Sequence, residues 1–500
     1  MGTQPAPANK PESAAAPAAS SGSKPAEGQA ANSLTPAEVA AGWQLLFDGS
    51  STKSFRGYKK AEFPKQGWVI DNGWLKSTAA QGKGGGGDIV TVDEYSDFEL
   101  QLEWKASTKG NSGIMFRVAE QHNYPWMTGA EFQVLDDAST NTKPDDKHSA
   151  GGLYDLISPV NVPGAGEAME PKVLNAVGQT NHARIRLQRG VLQHFLNGTK
   201  VVETRVDDAA WLALIAGSKF KDFKGFGMQP KGRLAIQDHG DTMWFANIKL
   251  RDLTKPMSGE VELFDGKSLS GWKVVCPSAA DKDAPPAIAK LADSTWSVAD
   301  GTLRCVGTPN GYLKTEKTYA NFVLKLDWRW AGYAESDSAK ALNSGVLLRV
   351  SGPDKTLPMS VEAELKIGSA GDLILLDGSK AAIAEFKGGT VLGAKASGAE
   401  RQNGRLVKRA RTAERHAPAK IAGQDASGPS WGGSGSNDGW NSYEIIAYNG
   451  NISVFINGEF VNTIDMATTG AGAGPTSGSI GLQSEGAAVE FRNIRLAEIK

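Results

Sequence analysis

One series of short motifs runs through this chain twice in the same order, and a duplication of that kind leaves few folds open. Leu46-Phe47-Asp48-Gly49 returns as Leu263-Phe264-Asp265-Gly266, and the stretch from Gly67 to Leu75 returns from Thr295 to Leu303. Asp97 to Trp104 matches Asn321 to Trp328, and Asn111-Ser112-Gly113 matches Asn343-Ser344-Gly345. Each copy closes on an Asn-Gly pair, Asn197-Gly198 or Asn457-Gly458, and then a last apolar run, Trp244 to Leu250 or Glu490 to Leu496. Two copies of one domain are predicted, over residues 43–253 and 259–500. The short connector of residues 254–258, stiffened by Pro256, predicts that they pack closely.

The repeated pieces read as strands. Phe98, Leu100, Leu102 and Trp104 alternate with Glu99, Gln101 and Glu103, the period of a strand with one buried face. Asn72-Gly73 and Asp300-Gly301 are hairpin signals, because a type I′ turn needs positive φ at both central residues. Helical periodicity is confined to residues 207–216. The fold class expected is all-β: two tandem antiparallel β-sandwiches of jelly-roll type, each with a concave face for a ligand.

Composition narrows the partner. Lys plus Arg total 54 against 55 for Asp plus Glu, so no overall field attracts nucleic acid or an anionic membrane. The 59 glycines and 13 tryptophans suit tight turns and aromatic platforms for a neutral carbohydrate. No apolar run is long enough for a transmembrane segment. Residues 1–38 are expected to be a disordered Ala/Pro-rich tail, since their prolines, alanines and serines can bury no core. Such a tether fits an exported protein, periplasmic or held at the outer membrane as a lipoprotein, better than a cytoplasmic one. Cys276 and Cys305 read as lying on successive strands of one sheet; a disulfide and two free thiols both suit the sequence.

If Phe132 and Val134 enter the core, Glu131 and Gln133 point to the opposite face, where a carboxylate beside an amide can clamp sugar hydroxyls. Arg117, out of phase with Ile114, Phe116 and Val118, is expected on that face too, for a ligand or for an ion pair with Glu131. His148 and His239 fall in polar loops as candidate catalytic groups, whereas His182 and His194 sit in alternating strands as structural ones. Asp136, Asp137, Asp145, Asp146 and His148 could hold a divalent cation such as Ca²⁺, without the spacing of any known loop.

The motifs Leu45 to Gly49, Asn111-Ser112-Gly113, Glu131 to Asp136, Gly152 to Leu156, Gln193 to Gly198 and Ile236 to Asp241, in that order, resemble the 3-keto-disaccharide hydrolase family, whose fold is similar to the concanavalin A-like sandwich. The resemblance implies a glycoside already oxidised at C3 by a partner oxidoreductase. A base then removes the acidified C2 proton, the C1 substituent leaves, and water adds back. Glu131 or His148 would be the base, Tyr154 or Asp136 the acid, and Arg117 or Lys172 would polarise the ketone, with Gln133, Asp238 and His239 binding substrate. A non-catalytic lectin and an envelope structural protein are the alternatives. The second copy departs at these polar positions, with Gln483-Ser484-Glu485-Gly486 where the first has Gln237-Asp238-His239-Gly240, and no counterpart of Tyr154. It also carries an insertion near residues 378–438 whose basic run, Arg405, Lys408, Arg409, Arg411 and Arg415, reads as a solvated loop. Chemistry is therefore expected in the first domain.

Overall fold

The computed structural model describes residues 32–78, 85–159, 172–277, 294–331, 342–366, 369–376, 382–383, 400–402, 405–407, 440–465 and 475–500. The first domain holds strands β1 (Trp43–Leu45), β2 (Phe55–Gly57), β3 (Trp68–Asp71), β4 (Trp74–Ser77), β5 (Ile89–Thr91), β6 (Phe98–Ala106) and β7 (Asn111–Val118). It continues with β8 (Ala130–Leu135), β9 (Asn181–Gln188), β10 (Val191–Leu196), β11 (Thr199–Arg205), β12 (Arg233–Ile236) and β13 (Met243–Asp252). Three helices accompany them: α1 (Pro36–Ala40), α2 (Asp137–Thr140) and α3 (Ala209–Ala216). The strands form two antiparallel sheets, a larger one in the order β11-β10-β9-β6-β13-β4-β3 with β1 on β13, and a smaller one in the order β2-β5-β12-β7-β8. Phe98, Leu100, Leu102 and Trp104 of the larger sheet meet Ile114, Phe116, Phe132, Val134 and Ile236 of the smaller in one core. The chain is thus a tandem antiparallel β-sandwich protein, as the second half repeats the two-sheet plan. The hairpins turn where expected: φ is +51° and +79° at Asn72 and Gly73, and +49° and +85° at Asn197 and Gly198.

The sandwiches meet through the outer faces of their larger sheets. Glu99, which alternation alone would leave in water, is 1% exposed. Its carboxylate accepts from Arg184 at 2.6 Å and Arg251 at 2.7 Å, while Arg251 reaches across to Glu444 of the second domain at 2.8 Å. Arg184 also donates to the Gly458 carbonyl, Lys200 pairs with Glu459, and Arg189 with Asp327. Burial opposes the charge on Glu99, but three guanidiniums outweigh it and hold this carboxyl well below the usual range.

The expectation of a disordered tail through residue 38 fails at its C-terminal end. Thr35 and Glu38 form a reciprocal capping box that starts α1, whose Ala37 and Ala40 pack with Val323, Ile446 and Ala497 of the second domain. Glu38 is buried against Lys249 at 3.0 Å, and Asn32 exchanges two hydrogen bonds with Asn247. Residues 1–31 lie outside the described residues. Cys276 follows a strand of the smaller sheet, Trp272–Val275, whereas Cys305 ends Thr302–Cys305 of the larger. They are not successive strands of one sheet, and both cysteines are buried free thiols. Of the basic run, Arg405 lies in a short strand, Arg405–Val407, paired with Leu373–Leu376 rather than in a loop; its other members lie outside the described residues.

Candidate acid–base site on the smaller sheet

Phe132, Ile114 and Ile236 point into the core, so their neighbours in β8, β7 and β12 point outward. The antiparallel register sets Glu131 opposite Met115, Met115 opposite Ala235 and Ala235 opposite Val90. On the free side of β8 the chain after Gly151 pairs as a partial further strand, with the Tyr154 N–H donating to the Glu131 carbonyl at 3.0 Å. One row across the outer face therefore reads Tyr154, Glu131, Met115, Ala235, Val90. Val90, Met115, Val118 and Ala235 make an apolar floor against which Tyr58 and Trp126 pack, and Trp126 stacks on Tyr124 at 5.7 Å.

Glu131 is only 6% exposed although it lies on an outer face. Room for its carboxyl exists because residue 113 is glycine: a Cβ there would stand 1.7 Å from Oε1. Burial pushes the Glu131 carboxyl up to about 8, against the attraction of Lys219 and with a further push from Asp88. Asp88 is itself raised to about 6 by burial, and accepts the Asp238 N–H at 2.9 Å. The Asp238 carboxylate is held by the N–H groups of Gly86, Gly87 and Gly240. Gln133, one step along β8, donates to Asn111.

Beside Glu131 stands a second cluster. His148 spans two carboxylates, Asp146 at 2.8 Å and Asp155 at 3.0 Å, with its ring edge-on to Tyr154. Burial would raise the Asp155 carboxyl, but donation from Lys147, the Lys219 N–H and His148 holds it down at about 2. The Lys219 ammonium lies 4.1 Å from the centre of the Tyr154 ring and forms no ion pair among the described residues. Lys219 and Asp88 were not foreseen. The spacing of Asp88 before an apolar pair gave no hint, and Lys219 follows α3 in a segment distant in sequence.

Several sequence expectations are corrected. Arg117 does not join Glu131: φ is +52° there, a bulge shifts the register against β12, and the guanidinium turns to the Ser96 carbonyl and Asp97. Val118 consequently moves to the outer face. Arg349 of the second domain has φ +57° and donates to the equivalent Ala320 carbonyl, so this arginine belongs to the scaffold. Lys172 is sealed in, its ammonium donating to Asp137, Ser149 and the Ala150 carbonyl, and cannot polarise a ketone at Glu131. Asp136 lies five residues along β8 from Glu131, about 17 Å on strand geometry. It accepts from the Ser139 and Lys109 N–H groups, and its carboxyl is lowered rather than raised as an acid would need. His239 is half-exposed in its turn, 3.6 Å from Asp241. The proposed cation ligands do not fit a cation as arranged. Asp136 caps α2, Asp137 holds Lys172, Asp146 holds His148, and no three such groups converge among the described residues.

The second domain keeps more of this face than its sequence suggested. Glu362 stands opposite Leu347 as Glu131 stands opposite Met115, and a Cβ on Gly345 would come within 2.3 Å of its Oε1. Register places Tyr312 where the first domain has Asp88, and Ser484 where it has Asp238.

Two sandwiches, of which the first brings the Glu131 carboxyl, the Lys219 ammonium, the Tyr154 phenol and the His148 imidazole to one side of its smaller sheet, define a tandem β-sandwich protein with a candidate acid–base site in its first domain. Residues 42–251 and 259–497 both match the 3-keto-alpha-glucoside-1,2-lyase-like domain, and the chain belongs to that family. It is 30% identical over 239 residues to a 3-keto-disaccharide hydrolase of Bacteroides thetaiotaomicron, a match covering 42% of this chain and 79% of the relative. Two structures from Parabacteroides distasonis, each provisionally described as a glycosyl hydrolase, align at 28% and 26% identity with TM-scores of 0.39 and 0.31. They cover 45% and 42% of this chain and 100% and 99% of their own. No helix among the described residues is long and apolar enough to cross a membrane.

Proposed function

We propose that the first domain cleaves 3-keto-glycosides by elimination and hydration, with Glu131 as the base that takes the C2 proton. The observation that carries this reading is the Glu131 carboxyl itself: buried on an outer sheet face, raised to about 8, and so matched to proton transfer near neutral pH. Its ionised form would remove the C2 proton while the Lys219 ammonium stabilises the enolate oxygen that forms at C3. As the C1–O bond breaks, the leaving oxygen takes a proton from Tyr154 or His148, which flank Glu131 on the same side. Water then adds at C1 and a proton returns to C2, giving net hydrolysis. Trp126 and Tyr124 offer a flat apolar wall for the sugar, and Gln133 and Asn111 offer hydroxyl partners. The ketone comes from an oxidoreductase acting on C3 of the glycoside.

The family of the chain and the name of its relative support a carbohydrate substrate. The test is incubation with a 3-keto-disaccharide and with its unoxidised parent, reading release of the reducing unit. Release from the keto sugar alone is expected, with Glu131→Gln slowed by about a hundredfold or more, the usual scale of general-base catalysis. Equal cleavage of both sugars, or normal turnover by the variant, would overturn the proposal.

A further inference from the structure

Among the described residues, the polar contacts from the larger sheet of the first domain to the second domain come from Arg184, Arg186, Arg189, Lys200 and Arg251. Apart from those residues, its outer face forms a cleft of about 370 Å³ lined by Asp71, Asn72, Trp74, Lys105, Gly178 and Trp244. Register sets Trp244 between Lys76 on β4 and Lys105 on β6. The Lys105 ammonium stands 4.0 Å from the centre of the Trp74 ring, and Lys76 stands 5.4 Å from that of Trp244. Lys76 has a carboxylate partner, Asp71 at 3.0 Å; Lys105 has none within ion-pair distance among the described residues. A turn tied to β6 by the Gly178 N–H, which donates to the Ala106 carbonyl, closes one side.

The duplicate shows what this arrangement lacks. At the corresponding positions the second domain has Arg304, Arg329 and, between them in place of Trp244, the buried Glu490. Glu490 neutralises both cations, at 3.2 Å and 2.5 Å. In the first domain the two cations persist but the central anion is replaced by an indole, and Trp74 replaces Thr302. We propose that this cleft binds an acidic saccharide, a uronic acid unit whose carboxylate meets Lys105 while its apolar ring face lies on the tryptophans. Such a ligand supplies from outside the anion that Glu490 supplies within the second copy. An ammonium beside an aromatic wall suits both halves of that ligand, whereas a neutral sugar leaves the ammonium without an anion and a simple anion leaves the aromatic wall uncovered.

The site stands apart from Glu131, on the opposite sheet, and is independent of the proposed catalysis. The test titrates the full chain with tetragalacturonate, with cellotetraose and with citrate, following tryptophan fluorescence and calorimetry. Saturable binding of tetragalacturonate is expected, weakened about tenfold or more in Lys105→Gln and in Trp74→Ala, in keeping with the loss of one charge-assisted contact or one stacking face. Glu131→Gln is expected to bind it unchanged, and Lys105→Gln to turn over keto-disaccharide unchanged. Circular dichroism of each variant separates lost binding from lost fold. Absence of binding, equal affinity for cellotetraose, full competition by citrate, or retention of affinity in folded Lys105→Gln would each overturn the proposal.

Discussion

Gly113 and Glu131 are diagonal neighbours across β7 and β8, so close that any side chain at residue 113 would occupy the space of the Glu131 carboxyl. The cavity for the carboxyl is therefore made by an absence. Gly113→Ala forces Oε1 to move by more than an ångström, and turnover of the keto sugar is expected to fall by about a hundredfold, with the KM changed little. Gly345→Ala makes the same change at Glu362 in the second domain. Kinetics of both variants locate the chemistry: a loss in Gly345→Ala alone would assign it to the wrong copy.

The raised carboxyl of Glu131 has a cost in stability that depends on pH. Its ordinary value is 4.5 and its folded value about 8, so below 4.5 both states hold the proton and no penalty arises. Between these values the folded state binds more protons than the unfolded, and stability drains away as pH rises through the window. Above about 8 a buried carboxylate is paid for in full. Glu131→Gln carries no charge at any pH, so its melting temperature should exceed that of the parent by several degrees at pH 9 and by little at pH 4.5. Thermal denaturation across that range checks the point; a constant difference would show that the carboxyl ionises freely.

Residues 32–40 anchor the two sandwiches to each other through α1. Lys249 is almost wholly buried and pairs with Glu38 at 3.0 Å. Glu38→Ala removes the carboxylate of this buried ion pair, a change expected to cost about 3–5 kcal/mol, the scale for a broken buried ion pair. Calorimetry of the variant, and of a chain lacking residues 1–40, should show a clear fall in melting temperature. An unchanged transition in both would mean that the helix does not hold the domains.

Lys219 acts on Glu131 without touching it. Lys219→Met removes the cation that favours the ionised carboxyl, so the rising limb of the pH–rate profile should shift to higher pH. The same change removes enolate stabilisation, and the rate on the plateau should drop by about a hundredfold or more. An unmoved limb together with an unchanged plateau would leave Lys219 only its packing on the Tyr154 ring.

What could be read from the sequence followed local rules. Alternation in β6 and the Asn-Gly pairs depend only on nearby residues, and the repeat carries the rest of the sandwich. Glu131 and Tyr154 were legible because strand period and the order of motifs placed them. Arg117 was misplaced because a bulge breaks the period by one residue, and the alternation around it looks unbroken in the sequence. Lys172 and Asp136 look catalytic as types, yet their partners, Asp137 and the α2 N–H groups, are fixed by loop conformation. Glu99 looked like a solvated residue because nothing in β6 records that a second domain would cover it. Lys219 reaches the site from a segment that no periodicity connects to β8.

The route of cleavage can be separated from direct displacement by where solvent hydrogen ends up. Elimination takes the C2 proton and hydration returns one from the medium, so reaction in D₂O should place deuterium at C2 of the released keto sugar. Displacement at C1 leaves C2 untouched. Sampling must be early, since a free keto sugar exchanges its C2 proton slowly without help, and a blank lacking protein sets that background. Glu131→Gln should lose enzymatic exchange and cleavage together, because both need the same base. His148→Ala keeps Glu131 and is expected to retain exchange into unreacted keto-disaccharide while slowing release, as proton delivery to the leaving oxygen suffers. If deuterium is missing from C2 in early product while cleavage runs at full rate, the bond breaks by displacement and Glu131 is not a base for C2.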